Sequence, residues 1–94
     1  MTTKQRSMLR SMANTIEPSI YVGKEGVTDG LLKDAAGALK AKELVKGSVG
    51  KNCDMTAKDA AASLAEALGA EAIQAIGRKF VLYKRNDEKP VIQL

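Results

Sequence analysis

The sequence predicts an α+β fold of two layers, in which a mixed four-stranded sheet is backed by helices. Three segments with apolar residues at helical spacing alternate with short apolar runs, and the resulting order is α-β-α-β-α-β-β. Each strand–helix–strand unit favours a right-handed crossover between parallel strands. The last two strands are separated by only two residues, so they form an antiparallel hairpin and the sheet becomes mixed.

The first helix is predicted over residues 3–14 and the first strand over residues 20–22. Met8 and Met12 fall on one face of this helix, and the pair is expected to pack in the core. Pro18 keeps the residue before it out of helical geometry, which separates the helix from the strand.

The next two helices are indicated by capping residues and by apolar stripes. Leucines and alanines at helical spacing follow Thr28 and predict the second helix over residues 28–41. Alternating valines predict the second strand over residues 43–50. Thr56 and Gly69 mark the start and the end of the third helix, since threonine caps helix N-termini and glycine commonly follows the last turn.

The third and fourth strands are predicted over residues 72–76 and 79–84. Gly77 and Arg78 join them, and a Gly-X pair suits a hairpin turn of type II′. The remaining chain is charged and contains a proline, so it is expected to form a tail that is tethered at most by its last apolar residues.

Length and composition limit the function classes. The chain of 94 residues is long enough for one domain, which is expected over residues 1–86. Residues 87–94 are expected to form the C-terminal tail. One cysteine and no histidine exclude an intramolecular disulfide, the usual zinc sites and histidine-dependent catalysis. No apolar run approaches the ~20 residues that span a bilayer. We therefore expect no metal, cofactor, small-molecule substrate, membrane contact or enzymatic activity.

The positive charge is segregated along the chain. Lysine and arginine number 15 against 11 acidic residues, which gives a net charge of +4. Residues 1–16 and 72–86 contain no acid at all. Their cations are Lys4, Arg6, Arg10, Arg78, Lys79, Lys84 and Arg85. Such segregation favours a polyanionic partner, although a solvated hairpin tip would also carry charge.

The acid-free start also has features of an organellar transit peptide, but its removal would delete the first helix from a small domain. An apolar secretory core is missing, so we expect a cytoplasmic protein.

Residues 23–26 (Gly-Lys-Glu-Gly), the GxxG loop, lie between a strand and a helix N-terminus. Glycines let the backbone approach a ligand closely, and the free amides of the helix start attract phosphate. KH domains use such a loop to clamp a nucleic-acid backbone, whereas the same residues could also form an ordinary turn. The loop lacks the Walker pattern, so no nucleoside triphosphate site is implied.

Three blocks of the sequence lie at residues 21–32, 42–46 and 74–85. They resemble the CRM domain (chloroplast RNA splicing and ribosome maturation) and occur in the same order as in that family. The resemblance extends over residues 3–85 and is closest to the stand-alone bacterial YhbY-type form. It implies a two-layer mixed sheet akin to the C-terminal domain of the third bacterial translation initiation factor. It also implies binding of structured RNA, namely ribosomal RNA in large-subunit precursors, with the GxxG loop on the RNA backbone.

The candidate RNA contacts combine this loop with the basic segments. They are Gly23, Lys24, Glu25, Gly26, Thr28, Arg78, Lys79, Lys84, Arg85, Lys4, Arg6 and Arg10. Glu25 departs from the basic or polar residues that the family often has there, and it puts a carboxylate beside the phosphates. The fourth strand is only ~17 Å long, so one RNA helix could reach both of its ends.

Aromatic residues are too few for a stacking surface. Phe80 is expected in the core, and Tyr21 borders the loop, where it could stack. Recognition is therefore expected to depend on backbone and shape. The alternative function is a protein-interaction adaptor on ribosomal or translation proteins, with residues 91–94 adding to a sheet edge. DNA binding is disfavoured because no recognition helix is evident.

Overall fold

The computed structural model describes all 94 residues, with three helices and four strands. The order matches the prediction, and most boundaries agree within one or two residues. The elements are α1 (Thr3–Ala13), β1 (Ile20–Val22), α2 (Asp29–Lys42), β2 (Leu44–Val49), α3 (Ala57–Leu68), β3 (Glu71–Ile76) and β4 (Lys79–Tyr83). None of the helices has the length and apolar content needed to cross a membrane.

The strands form one mixed sheet in the order β1-β2-β4-β3. β1 and β2 are parallel, and β4 runs antiparallel to both of its neighbours. The hairpin closes at Gly77, whose φ of +60° suits the first central position of a type II′ turn. The predicted α+β class with a four-stranded mixed sheet is thus confirmed. The sequence did not predict the order of the strands, in which β4 lies between β2 and β3.

One face of the sheet is covered by α2 and α3. Ala35 and Leu39 of α2 and the buried alanines of α3 pack with alternate residues of the strands. The largest of these side chains is Phe80, which lies across Gly47 of the neighbouring strand. A Cβ at Gly47 would overlap the Phe80 ring, so the position needs glycine for packing.

The other face is covered by α1, which adds a layer to the two that were predicted. Leu9 and Ala13 pack with residues of β2, β3 and β4 in a second buried cluster. The expectation that Met8 and Met12 pack in the core is wrong, since their side chains are 39% and 36% exposed. Residues 8 and 12 share one stripe of the helix and residues 9 and 13 share the adjacent one, and the second stripe faces the sheet.

The tail is held by a buried carboxylate. Glu43 was predicted to begin the second strand, but it follows α2 with a φ of +63° and is fully buried. Its carboxylate accepts hydrogen bonds from the backbone N–H groups of Asn86, Val91 and Ile92 at 2.6–2.7 Å. The tail is therefore tethered through its backbone as well as through Ile92, which packs against the α1 cluster. The sequence prediction of an apolar tether alone was incomplete.

The pKa of Glu43 reflects two opposing effects. Burial disfavours the charged form and by itself raises the pKa, but the three backbone donors and the nearby Arg85 outweigh it. The net result is a pKa below the usual value of 4.5. Because the folded-state pKa is lower than the unfolded one, ionised Glu43 stabilises the fold above pH 4.5 and loses this effect as pH falls through the folded-state pKa.

Glu43→Gln is expected to lower the free energy of unfolding at pH 7 by about 2 kcal/mol, because hydrogen bonds to a charged acceptor are lost. Urea unfolding at several pH values measures this difference. It should be constant above pH 4.5 and shrink below it. Glu66→Gln, at an exposed position of α3, is the control. A pH-independent difference between Glu43→Gln and the wild type would contradict the assignment.

Gly47→Ala is expected to destabilise the protein by about 1–3 kcal/mol, because the new methyl group overlaps the Phe80 ring in a packed core. Gly37→Ala is the matched control. Gly37 is an exposed residue inside α2 with no atom near an added Cβ, so alanine there should stabilise by up to about 1 kcal/mol. Equal effects of the two substitutions on unfolding would refute the packing role of Gly47.

Candidate nucleic-acid interface

The GxxG loop is a tight turn that presents its two middle side chains to solvent. The Gly26 N–H donates to the Gly23 carbonyl at 3.0 Å, and Gly26 has a φ of +73°. Lys24 and Glu25 occupy the two corners of the turn and are exposed. The loop therefore offers one cation and one carboxylate side by side.

The N-terminus of α2 begins directly after the loop. The predicted N-cap is confirmed, since the Thr28 side chain accepts a hydrogen bond from the Leu31 N–H at 3.1 Å. The N–H groups of Asp29 and Gly30 have no partner within the protein. These amides belong to the first turn of α2, and free N–H groups at a helix N-terminus favour an anionic ligand.

A groove of about 460 Å³ lies between this turn, the start of α2 and the Tyr21 ring. Its walls carry charges of both signs. Lys24 and Glu25 contribute a cation and a carboxylate from the loop, and Asp34 contributes a carboxylate from α2. The groove therefore combines a helix N-terminus, which favours an anion, with two carboxylates, which oppose one.

The β3–β4 hairpin lies at the same end of the sheet as the loop. The Gly50 N–H donates to the Val22 carbonyl at 2.9 Å, and the Val49 N–H donates to the Arg78 carbonyl at 2.8 Å. These two hydrogen bonds place the ends of β1 and β2 beside the turn of the hairpin. Arg78 and the neighbouring lysine at position 79 are exposed and form no salt bridge.

Lys51 is a further cation of this region that sequence reasoning did not select. It is exposed in the connection between β2 and α3 and forms no salt bridge. The same connection contacts the GxxG loop, because a Cβ at Gly26 would lie 3.4 Å from the Met55 sulfur. Its position follows from the parallel pairing of β1 and β2, since the segments that follow two adjacent parallel strands meet at one edge. We call the group of Lys24, Lys51, Arg78 and Lys79 the loop–hairpin edge.

Lys84 and Arg85 lie at the opposite edge, about 17 Å along β4 from the hairpin. The Lys84 ammonium donates to the Leu68 carbonyl at 2.8 Å and so caps the C-terminus of α3. Arg85 forms an exposed pair with Asp87 at 3.2 Å. The structure does not bring these two residues together with the GxxG loop.

The α1 cations have different environments. Arg6 donates to the Ala72 carbonyl and to the Glu71 carboxylate, both at 3.1 Å, and thereby fastens α1 to β3. Arg10 is half-buried and Lys4 is exposed, and neither forms a salt bridge. No three histidine, cysteine or acidic side chains are grouped so that they could hold a metal ion.

The sequence profile of the CRS1 / YhbY (CRM) domain matches residues 1–84, which is nearly the whole chain. The chain belongs to the CRS1 / YhbY (CRM) family. The resemblance inferred from the three sequence blocks is thus confirmed. The loop–hairpin edge is formed entirely by residues within the part of the chain that the family profile covers.

Two relatives are similar over most of their length. "Probable RNA-binding protein YqeI" from Bacillus subtilis is 42% identical over 94 residues, which is 100% of this chain and 98% of the relative. An "RNA-binding protein" from Haemophilus influenzae is 29% identical over 91 residues, with 97% of this chain and 92% of the relative covered. The chain therefore corresponds in extent to stand-alone bacterial members of the CRM family.

The fold is also similar to a solved structure. The solution structure of the hypothetical protein SAV1595 from Staphylococcus aureus has a TM-score of 0.67 and 35% sequence identity. The similarity covers 94% of this chain and 95% of the other. The architecture is thus that of a CRM-family domain.

Proposed function

We propose that this CRM-family protein binds structured RNA at the loop–hairpin edge, and that it acts as a binding protein and not as an enzyme. The observation that carries the proposal is the pair of backbone hydrogen bonds at the end of β2. They bring the GxxG loop and an acid-free hairpin to one edge. Four exposed cations without internal partners are suited to phosphate contacts, and the two relatives are named as RNA-binding proteins.

We further propose that the natural RNA is ribosomal RNA in precursors of the large subunit and that the protein is cytoplasmic. Support comes from the similarity to stand-alone members of a family named for ribosome maturation. Sedimentation of a native lysate, with and without ribonuclease, tests this part. We expect the protein to comigrate with particles that sediment near the large subunit, and we expect ribonuclease to abolish this comigration. A protein that stays at the top of the gradient at low salt would refute the ribosomal assignment.

The adaptor alternative receives less support from the geometry. Strand addition by residues 91–94 would require the Val91 and Ile92 N–H groups, but both donate to the buried Glu43 carboxylate. Binding of the tail to a partner would therefore break contacts that hold the domain together. Deletion of residues 93 and 94 alone keeps both donors to Glu43 and should leave RNA affinity at the loop–hairpin edge intact.

Removal of single cations should weaken RNA binding and reduce its salt dependence. For Lys24→Ala, Lys51→Ala and Arg78→Ala, we expect the slope of log K against log salt concentration to fall in magnitude by about 1 each, because one phosphate contact is lost. Fluorescence anisotropy with a labelled RNA hairpin at several salt concentrations measures both quantities.

Lys42→Ala is the matched control for these variants. Lys42 is an exposed lysine at the other end of the sheet, so its removal changes the net charge equally without touching the loop–hairpin edge. If Lys24→Ala and Arg78→Ala bind like the wild type, or if Lys42→Ala is equally impaired, the assigned surface is wrong. Arg85→Gln reports separately on whether a duplex also reaches the opposite edge.

Glu25→Gln is expected to strengthen RNA binding about 2- to 5-fold, because a screened surface charge interaction is worth under about 1 kcal/mol. The reason is the exposed position of the carboxylate at the corner of the loop, next to Lys24. The same anisotropy titration measures the gain, which should vanish at high salt. An unchanged or weaker affinity would show that Glu25 does not face the phosphates.

A further inference from the structure

Tyr21 is the most unusual side chain next to the GxxG loop. It alternates in β1 with Ile20 and Val22, which are buried under α2 and α3, so its ring lies on the opposite face of the sheet. Tyr21 is 64% exposed, although both of its neighbours in β1 are buried. The ring therefore lies outside both buried clusters of the domain.

The Tyr21 ring rests on backbone that is kept free of side chains. A Cβ at Gly50 would fall on the Tyr21 hydroxyl, and a Cβ at Gly23 would lie 3.4 Å from Cε2 of the ring. The ring therefore extends over the end of β2 and is supported by two glycines. The rest of the ring is open to solvent and borders the groove beside the loop.

A row of residues continues from Tyr21 across the sheet. The strand register pairs Tyr21 with Ser48, Ser48 with Lys79, and Lys79 with Ile76. None of the four belongs to the cluster that α1 covers, and Ile76 is 66% exposed. The row thus forms an open strip with an aromatic ring, a small hydroxyl and a cation in sequence.

The strip has the charge that a nucleotide requires. Glu71 is the only carboxylate among the strand residues of this face, and Arg6 pairs with it at 3.1 Å. Lys79 lies two strand spacings, or about 10 Å, from Tyr21. Ser48 stands between them and is small, so the surface from the ring to the ammonium group is not blocked.

We propose that Tyr21 is a stacking platform for one unpaired nucleobase of the bound RNA, and that Lys79 and Lys24 hold the adjoining phosphates. The inference rests on the proposed RNA-binding function and deepens it, because it adds recognition of an unpaired nucleotide to recognition of the backbone. An aromatic face accepts any base, so the platform selects single-stranded character rather than sequence. RNA with a bulge or an open loop is therefore preferred over a continuous duplex.

Replacement of the ring tests the platform with two RNAs of equal length, one a blunt duplex and one with an unpaired loop. Tyr21→Leu should weaken binding of the looped RNA about 5- to 150-fold, the range found when a base loses its aromatic partner, and leave duplex binding unchanged. Tyr21→Phe keeps the ring and should bind both RNAs like the wild type. Equal effects of Tyr21→Leu on the two RNAs, or none on either, would overturn the proposal.

Gly50→Ala provides a second variant that retains Tyr21. The new methyl group displaces the ring from its support, while the φ of Gly50 is one that alanine can adopt. Loss of affinity for the looped RNA alone is expected. Wild-type affinity of Gly50→Ala for the looped RNA would contradict the supported-ring geometry.

Tyrosine fluorescence gives a readout that is specific to stacking. The protein has no tryptophan and two tyrosines, and Tyr83 is buried. A short uridine oligonucleotide should therefore quench the emission of Tyr21, after correction for RNA absorbance, and the quenching should be absent in Tyr21→Phe. Quenching that persists in Tyr21→Phe would refute the platform.

Failure of the platform can be distinguished from failure of the proposed function. Lys24→Ala is expected to weaken binding of both RNAs, whereas Tyr21→Leu affects only the looped one. If Lys24→Ala is impaired on both and Tyr21→Leu on neither, the RNA surface stands and the platform is wrong. If Lys24→Ala and Arg78→Ala bind both RNAs like the wild type, the proposed surface itself is wrong, and with it the platform.

Discussion

The end of β2 is the constraint on which the candidate interface depends. Its last residues are hydrogen-bonded on one side to β1, through Gly50 and Val22, and on the other to the hairpin, through Val49 and Arg78. The pairings have opposite polarity, so the C-terminus of β1 and the N-terminus of β4 meet at one edge. Residues more than 50 positions apart in the chain, such as Lys24 and Lys79, are thereby placed on one surface without direct contact between them.

The charges on this surface indicate a direction for the ligand. Glu25 and Asp34 offset the cation of Lys24 in the GxxG groove, whereas Arg78 and Lys79 make the hairpin positive. In the proposed function, the RNA backbone is therefore attracted most strongly towards the hairpin and the sheet face beside it. The helix amides at Asp29 and Gly30 then contribute at the start of the path, and Lys79 contributes further along it. This asymmetry is how a loop that contains Glu25 can belong to the proposed RNA surface.

Much of the fold was predictable from local signals, whereas its long-range contacts were not. Threonine caps, Gly77 in the hairpin and apolar periodicity marked the elements because each acts within a few residues. Periodicity could not decide between the stripe with Met8 and the stripe with Leu9, because both are apolar and only the sheet selects one. The role of Glu43 depends on N–H groups more than 40 residues away, and the relevance of Lys51 depends on strand order. These features arise from tertiary contacts that leave no local pattern.

The most direct test of the RNA surface is a titration of the isotope-labelled protein with an RNA hairpin, followed through backbone amide NMR shifts. The predicted result is a set of shift changes confined to residues 21–30, 48–52 and 76–80, which line the loop–hairpin edge and the adjoining sheet face. Amides near Glu43 and in the tail serve as an internal reference, since they lie at the opposite edge. Shift changes concentrated at residues 40–43 and 84–92, with the GxxG loop unaffected, would contradict the account.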